Sequence, residues 1–349
     1  MLLVFFLAAA LWGIGWMAGV SRTARSASVA VLLLGVLTAQ LILPYGHPLR
    51  EATGGSAAIW LILGGFAVLV LLYSRMLKLL RARAVLTQDK EQTMASDQFS
   101  ETELERYARH IVLRELGGPG QKRLKKARVL VIGAGGLGAP ALQYLAAAGV
   151  GTIGVIDDDV VENANLQRQV IHRDTDIGIP KVFSAQQAME SQNPNVVVRP
   201  YHRRLTEEIA SDLFDEYDLI LDGTDNFETR YLANRTAVAR GKPLISGALS
   251  QWEGQLSVFN PAESGPCYQC IFPEAPAAGL APSCAEAGVI GPLPGVVGSM
   301  MAVEAIKVIT GAGQPLVGEM LIYDALYGES RKIALSKRAD CPICAAVTT

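Results

Sequence analysis

The sequence predicts an α/β fold, with a doubly wound mixed sheet preceded by about three transmembrane helices. From residue 100 onward, short apolar runs alternate with segments of helical periodicity, which is typical of a mainly parallel sheet with helices on both faces. Before residue 80, three runs lack charged residues, and each is near the ~20 residues that cross a bilayer as a helix. The chain therefore divides into a membrane region, residues 1–80, a linker, residues 81–99, and a soluble domain, residues 100–349.

The three uncharged runs cover residues 1–20, 27–44 and 56–74. The middle run is short and contains Thr38 and Gln40. A cleaved signal peptide is the alternative for the first run, but that run lacks a basic start and leads into two further apolar runs.

Basic residues indicate which side of the membrane each loop faces. The loop of residues 46–55 is nearly neutral, whereas the other flanks are basic. The bias places the amino terminus outside and everything after the third run in the cytoplasm, as expected of a multi-pass protein of the inner membrane. The basic residues are Arg22, Arg25, Arg75, Lys78, Arg81 and Arg83.

The soluble domain is predicted to begin at Ser100, which forms a capping box with Glu103. Apolar residues between positions 104 and 112 then recur at helical spacing. Arg106 and Arg109 lie on this helix. Taken alone, the helical pattern predicts that both arginines are solvated charges on an exposed face.

A strand at residues 129–132 runs into a glycine turn, and a helix is predicted for residues 139–148. The free N–H groups of this helix face the turn and favour an anion. A second strand, residues 152–156, ends on Asp157, about 20 residues past the glycines, where a carboxylate can reach a ribose hydroxyl. The pattern predicts a nucleotide site but does not separate NAD from ATP. Glycines that serve packing alone are the structural alternative. The turn contains Gly133, Gly135, Gly136 and Gly138.

Further helices and strands alternate along the domain, and the carboxyl ends of the strands should meet in one crevice. Helices are expected at residues 182–191 and 226–240. Parallel strands are expected at residues 196–200, 217–221 and 243–246, and antiparallel additions at 251–260 and 319–324.

Charged residues after the second strand distinguish the nucleotide classes. Arg168 and Lys181 supply two cations, while Asp157 and Asp225 supply carboxylates. Such a set suits a triphosphate and its magnesium ion, whereas a nicotinamide ring requires a mostly apolar slot. The formal net charge of −2 gives no indication of a nucleic-acid partner.

Five cysteines follow, all in the part assigned to the cytoplasm, which argues against disulfides. Cys267 with Cys270, and Cys341 with Cys344, form two C-x-x-C knuckles, and four thiolates suit structural zinc. A redox pair is the alternative for the second knuckle, but little chain remains for the helix that would activate it. Cys284 lies in a Gly- and Pro-rich crossover loop and is either an idle thiol or a participant in a thioester or persulfide step.

Together, these motifs resemble the MoeB/ThiF/HesA branch of the ubiquitin-activating superfamily. The resemblance extends from Arg106 to Cys344 and excludes the membrane region. It implies a Rossmann-like fold of the adenylating type and a homodimer. Its motifs are Arg106 to Arg109, Gly133 to Gly138, Asn165 to Gln169, Lys181, Thr224 to Asn226, and both cysteine knuckles.

The resemblance also implies a role for each matching residue. Asp157 would hold the ribose, Arg168 and Lys181 the phosphates, and Asp225 the Mg²⁺. Arg109 would reach the phosphates from the second subunit. The remaining nucleotide-binding residues would be Gly133, Gly135, Gly136, Gly138, Asn165, Gln169 and Asn226.

The implied reaction is ATP-dependent adenylation of the C-terminal glycine of a small ubiquitin-like sulfur-carrier protein ending in Gly-Gly. The sequence around residues 246–255 and 283–289 is nearer the molybdopterin-synthase enzyme, with the thiamine enzyme as the alternative. No rhodanese domain follows Cys344, so a separate sulfur donor protein is expected. An NAD-dependent membrane oxidoreductase and an inactive zinc-stabilised scaffold are more distant alternatives. The first does not explain Arg168, Lys181 and Asp225, and the second predicts the loss of at least one of them.

Overall fold

A computed structural model describes residues 2–19, 21–66, 69–70, 73, 75–76, 98–263, 265–276 and 287–346. The chain forms two compact units, Met1–Ala95 and Ser96–Thr349. Of the predicted linker, residues 81–99, only the last two positions lie within the described residues.

The first unit is helical. Its helices are Leu2–Met17, Arg22–Ile42 and Pro48–Ala52, followed by an apolar helical segment, Ala57–Phe66. Val4, Val36 and Trp60 form a small buried cluster, whereas most other large apolar side chains of the unit are exposed. Exposed apolar helices suit an apolar surrounding.

The prediction of three membrane spans is not confirmed. Among the described residues, two helices are long and apolar enough to cross a membrane, Ala24–Ile42 and Pro292–Thr310. Half of the second window is buried within the protein, as in the core helix of a soluble domain. The first predicted span forms a helix of 16 residues, and the third contains an apolar helix over Ala57–Phe66, with further helical positions at residues 69–70 and 73.

The second unit is built on one mixed sheet of eight strands in the order β3-β2-β1-β4-β5-β6-β7-β8. Strands β1 to β5 are parallel, and β6 to β8 pair antiparallel, which confirms the predicted mixed α/β sheet. The chain leaves β1 for β2 on one side and returns to β4 on the other, so a crevice opens at the carboxyl end of β1. The strands are β1 Arg128–Ile132, β2 Thr152–Ile156, β3 Val197–Tyr201, β4 Leu219–Asp222, β5 Leu244–Leu249, β6 Glu253–Phe259, β7 Glu319–Asp324 and β8 Glu329–Ala334.

Both faces of the sheet are buried at its centre, as strand β1 shows. Val129 and Val131 of β1 join one apolar cluster, while Leu130 and Ile132 join another on the opposite face. This alternation is the period of a strand covered on both sides. The helices of the unit are Glu101–Arg106, Ala108–Ile111, Gly117–Lys126, Gly138–Ala148, Lys181–Gln192, Glu207–Asp215, Phe227–Ala239, Tyr268–Ile271 and Pro292–Thr310.

The first helix of this unit differs from its prediction. The capping box of Ser100 and Glu103 is present, but the predicted continuous helix is broken at Tyr107, which ends one short helix and begins the next. The ring of Tyr107 is buried, and its hydroxyl accepts a hydrogen bond from the Asn193 amide at 2.8 Å. The helix break therefore coincides with a buried, hydrogen-bonded side chain.

Candidate active site

A cavity of about 550 Å³ opens where the carboxyl ends of β1, β2, β4 and β5 meet. Its walls come from the glycine turn after β1, the acidic segment after β2, and the loop between β4 and the Phe227–Ala239 helix. This is the position at which open parallel sheets bind ligands.

The glycine turn brings backbone N–H groups close to the cavity. Gly133 has a φ of 91°, and its N–H donates to the Ile156 carbonyl at 2.9 Å. A Cβ atom at Gly138 would lie 1.9 Å from the Gly133 carbonyl oxygen, so only glycine permits this turn. Gly138 also begins the Gly138–Ala148 helix, whose amino end favours an anion.

Asp157 closes the turn from the neighbouring strand. Its carboxylate accepts hydrogen bonds from the backbone N–H groups of Ala134 at 2.7 Å and Asp159 at 2.8 Å. Burial raises the pKa of Asp157, while the charge of Lys181 and the two N–H groups act in the opposite direction. The carboxylate is therefore fixed at the cavity wall, beside the turn.

Two predicted cations, Lys181 and Arg168, line the same cavity, as do Arg203, Arg204 and Arg230. The Lys181 ammonium lies 2.7 Å from the Asp159 carboxylate, and only 6% of the Lys181 side chain is exposed. The Arg168 guanidinium donates to the Ala164 carbonyl at 3.1 Å and to the Asn165 amide oxygen at 3.5 Å. The two cations therefore place positive charge on the cavity wall, where they can bind an anionic ligand.

The loop after β4 contributes Asp225 and Asn226. Asn226 caps the Phe227–Ala239 helix by accepting the Thr229 N–H at 2.9 Å. Asp225 is exposed at the cavity, and its carboxylate makes no hydrogen bond or ion pair to the residues that the structure describes. An unpaired carboxylate at this position can bind a hard cation such as Mg²⁺.

A cluster of three carboxylates follows strand β2. The carboxylates of Asp157, Asp158 and Asp159 lie within 4.8 Å of one another. Asp225, the predicted magnesium ligand, is not part of this group. The cavity therefore offers carboxylates from the ends of both β2 and β4.

The four knuckle cysteines converge in a buried cluster. The sulfur atoms of Cys267 and Cys341 are 3.6 Å apart, those of Cys270 and Cys344 are 3.4 Å apart, and those of Cys267 and Cys270 are 3.9 Å apart. Tetrahedral zinc with Zn–S bonds of 2.3 Å would hold its sulfur ligands about 3.8 Å apart. All three sulfur–sulfur distances far exceed the length of a disulfide bond. The four sulfur atoms and their spacing therefore fit a tetrahedral metal ion.

The surroundings of the cysteine cluster favour a bound cation. Burial raises the pKa of Cys267 to about 11 and also raises that of Cys344. Buried thiols of this kind ionise readily only when a metal compensates their charge. At Cys341 burial acts in the same direction, but hydrogen bonds from the backbone N–H groups of Cys344 and Ile343 outweigh it and lower the pKa to about 7. The Asn234 amide and the Arg338 backbone N–H lie 3.8 Å and 3.4 Å from cluster sulfurs, where they can stabilise thiolates.

The similarity to known proteins covers nearly the same part of the chain as the second unit, Ser96–Thr349. The sequence model of the ThiF family matches residues 107–343. The chain belongs to the ThiF family. Because most of the relatives reported below are named adenylyltransferases, the protein is an enzyme of the nucleotidyltransferase class.

Among its relatives, the chain is 51% identical to a sulfur carrier protein adenylyltransferase of Thermus thermophilus, over 70% of this chain and 92% of the relative. It is 54% identical to a probable adenylyltransferase/sulfurtransferase MoeZ of Mycobacterium tuberculosis, over 70% of this chain and 63% of MoeZ. A SAMP-activating enzyme E1 of Haloferax volcanii is 48% identical over 70% of this chain and 89% of the relative. The chain thus spans less than two thirds of MoeZ but most of the other two.

Solved structures share the fold. The crystal structure of PaaA has a TM-score of 0.60 and 25% identity, over 69% of this chain and 76% of that chain. E. coli MccB in a crystal structure with ATP has a TM-score of 0.60 and 22% identity, over 69% of this chain and 74% of that chain.

The structure of this ThiF-family chain brings most of the predicted nucleotide-binding residues to one cavity. Gly138 and Asn165 do not line it: Gly138 forms the turn, and Asn165 contacts the Arg168 side chain. Arg109 is exposed on the Ala108–Ile111 helix and is also absent from the cavity of its own chain. Cys284 lies outside the described residues. The predicted residues that line the cavity are Gly133, Gly135, Gly136, Asp157, Arg168, Gln169, Lys181, Asp225 and Asn226.

Sequence reasoning missed two polar groups that support the ThiF-family site. His172 is buried and bridges the Ala134 carbonyl at 3.0 Å and the Ser184 hydroxyl at 2.8 Å, which ties the glycine turn to the helix of Lys181. Burial lowers the pKa of His172. Arg230 lies on the cavity wall in the first turns of the Phe227–Ala239 helix. A single histidine and a single helical arginine carry no spacing pattern that could identify these roles.

Proposed function

We propose that the protein uses ATP to adenylate the C-terminal glycine carboxylate of a small ubiquitin-like sulfur-carrier protein. The observation that carries the proposal is the convergence of the glycine turn, the Asp157 carboxylate and two cations on one cavity. The 51% identity to a sulfur carrier protein adenylyltransferase supports the choice of substrate.

In the proposed reaction, an oxygen of the carrier's terminal carboxylate forms a bond to the α-phosphorus of ATP. The bond from that phosphorus to the bridging oxygen breaks, and pyrophosphate leaves with the electron pair. The nucleophile is already ionised, so the enzyme needs no general base. Its contribution is to position the two substrates and to compensate charge that moves between phosphate groups.

The cavity residues divide these tasks. The glycine turn and the helix that follows it would bind phosphate, and Asp157 would accept a ribose hydroxyl. Lys181 and Arg168 would hold the phosphate oxygens, since they are the two predicted cations on the wall. Asp225 would bind Mg²⁺, whose charge when bound helps to neutralise the triphosphate.

The carrier of molybdenum cofactor biosynthesis, a MoaD-like protein, is the substrate that we favour, and a ThiS-like carrier of thiamine biosynthesis is the alternative. The relatives are named for both general sulfur-carrier and MoeZ-type enzymes, so the pathway needs its own experiment. After adenylation, a separate protein would supply sulfur. Cys284 would not act in adenylation, because attack on the α-phosphate needs no enzyme thiol.

An exchange assay tests the proposed function. The full-length chain in detergent is mixed with ATP, labelled pyrophosphate and either carrier. We expect label to enter ATP when the carrier ends in its free glycine carboxylate, and not when that carboxylate is amidated. Exchange that is equally fast with the amidated carrier would contradict carboxylate adenylation. A higher kcat/KM for the MoaD-like carrier than for the ThiS-like carrier is expected.

Zinc is the metal that we propose for the cysteine cluster, in a stabilising role, because four thiolates leave no open coordination position. Purified wild-type protein should contain one tightly bound zinc per chain, and Cys341→Ser should lose most of it, as measured by metal analysis. Cys284→Ser is the matched control and should retain the zinc. A full equivalent of zinc in Cys341→Ser would rule out the four-cysteine site.

We also propose that the chain is anchored in the inner membrane, with the catalytic domain in the cytoplasm. The exposed apolar helices of the first unit and the basic flanks of the uncharged runs support this topology. Protease added to intact spheroplasts should leave residues 100–349 uncut, whereas the same protease should digest them after lysis. Cleavage of this domain in intact spheroplasts would reverse the topology.

A further inference from the structure

Arg230 is a buried arginine on the cavity wall to which the proposed reaction gives no role. Only 6% of the residue is exposed. It lies in the first turns of the Phe227–Ala239 helix, directly after the loop that carries Asp225. A buried guanidinium beside a nucleotide cavity would be expected to face phosphate. The hydrogen bonds of Arg230 instead reach the protein.

The guanidinium of Arg230 joins the loop after β4 to strand β5. Its Nη1 donates to the Ser246 hydroxyl at 2.9 Å. Its Nη2 donates to the Gly247 carbonyl at 2.6 Å and also to the Thr224 carbonyl. A planar fork can hold several such acceptors at fixed angles, which the single ammonium of a lysine cannot.

The charge of Arg230 is compensated inside the protein. Asp222, at the end of β4, is 1% exposed, and its carboxylate oxygen lies 3.5 Å from Nη1 of Arg230. The Ser246 hydroxyl donates to the same carboxylate oxygen at 3.2 Å. The pair therefore adds little net positive charge to the cavity, and the contribution of Arg230 is geometric.

The Arg230–Asp222 pair holds the residue before Asp225. The Thr224 backbone N–H and hydroxyl donate to the Asp222 carboxylate at 3.0 Å and 2.6 Å, while the Thr224 carbonyl accepts from Arg230. On the other side, Asn226 is fixed by its hydrogen bond to the Thr229 N–H. The backbone of Asp225 is thus held at both ends, while its carboxylate faces the cavity.

We propose that Arg230 is a positioning residue, which fixes the loop so that the Asp225 carboxylate can bind the divalent cation of the ATP complex. The inference rests on the proposed function, because it takes Asp225 as the ligand of that cation. Replacing a residue that orients a metal ligand typically lowers metal affinity or activity about 10–100-fold.

The principal test compares wild type with Arg230→Lys in the full-length chain. Lysine keeps the charge opposite Asp222 but loses the fork, so the Mg²⁺ concentration for half-maximal ATP–pyrophosphate exchange should rise about 10–100-fold. The rate at saturating Mg²⁺ should change much less. Binding of Mn²⁺ in the presence of a non-hydrolysable ATP analogue, measured by electron paramagnetic resonance, should weaken by a similar factor.

Two further variants separate positioning from folding. The double variant Arg230→Met with Asp222→Asn removes both buried charges, so neither remains unpaired, and it should show the same shift in Mg²⁺ and Mn²⁺ dependence. Arg235→Lys is the matched control: it lies on the same helix but is surface-exposed and pairs with Glu207 at 2.8 Å. Its metal dependence should equal that of wild type.

An unchanged Mn²⁺ affinity in Arg230→Lys and in the double variant would overturn the inference. So would a loss of folding in both, with Arg235→Lys intact, since Arg230 would then act only on stability. If wild type failed to exchange pyrophosphate with any carrier, the proposed function would fail, and Mn²⁺ binding with the nucleotide analogue would still decide the role of Arg230.

Discussion

Replacing Lys181 with alanine is expected to lower the rate of ATP–pyrophosphate exchange about 10²–10³-fold, the usual effect of removing one group that stabilises transition-state charge. The ammonium is almost fully buried and compensates Asp159 at 2.7 Å. Its loss would leave the carboxylates after β2 to repel the triphosphate. Initial rates at saturating Mg²⁺ and carrier, with ATP varied, measure both kcat and KM.

Lys307→Ala is the matched control for Lys181→Ala. Lys307 forms a contact of 2.6 Å with Glu304, but it lies in the last turn of the Pro292–Thr310 helix and does not line the cavity. Because Lys307 does not line the cavity, its exchange rate should stay within a factor of about two to three of wild type, which corresponds to a free-energy change of about 0.5 kcal/mol. An equal loss in both variants would mean that Lys181 acts through stability and does not contact phosphate.

We propose that the chain forms a homodimer, as the family resemblance implies, and that Arg109 is needed in trans. It is exposed and absent from the cavity of its own chain, so a role at the phosphates requires a second subunit. Arg109→Ala is expected to lower exchange on the order of 10³-fold, by analogy with other arginines that act in trans. Asp225→Ala should disable cation binding in its own chain. Neither variant homodimer should be active.

A mixed dimer of these two variants decides whether Arg109 acts in trans. One of its two sites combines an intact Asp225 with an Arg109 from the other chain. Co-expression with two different affinity tags, followed by tandem purification, should therefore recover exchange from two inactive parents. Mixed dimers as inactive as the parents would exclude a shared site. Arg106→Ala is the control for the loss of an arginine on the neighbouring short helix that acts within its own chain. Arg106 donates to the Gln192 carbonyl of the same chain at 2.7 Å.

Much of the catalytic domain could be predicted from the sequence because its signals are local. Strand β2 was predicted at its observed bounds, since a short β-branched run between a glycine and an aspartate has few alternatives. The glycine turn was equally clear, because a Cβ atom at Gly138 would collide with the backbone of the same turn. In each case the cause lies within a few residues of its effect.

Elements whose burial depends on distant partners were missed. The Pro292–Thr310 helix is apolar on most sides and packs across the Gly138–Ala148 helix, where Gly298 allows a close approach to Leu137. A helix without a polar face has no periodic signal that separates it from a buried strand. Strand β8 was missed for a different reason. All six of its residues are exposed, so its sequence has no alternating apolar face that would predict a strand.

For the same reason, only some residues of the candidate site could be predicted from the sequence. Lys181 and Asp225 belong to motifs whose residues are close in sequence, whereas Arg230 acquires its role only when β4 and β5 pair and bring Asp222 beside Ser246. The four cysteines were predicted to share one ion, and their convergence follows from pairing across the fold. Long-range partners of this kind follow from the topology of the sheet and not from local spacing.

The most direct test of the proposed adenylation is the mass of the carrier. Full-length enzyme is incubated with ATP, Mg²⁺ and the MoaD-like carrier, without a sulfur donor, and the carrier is weighed intact by mass spectrometry. We predict a carrier heavier by one adenylyl group, with an equal amount of pyrophosphate released, and no change in Lys181→Ala over the same time. A carrier of unaltered mass, from a wild-type enzyme that binds ATP and is offered either the MoaD-like or the ThiS-like carrier, would contradict the proposed function.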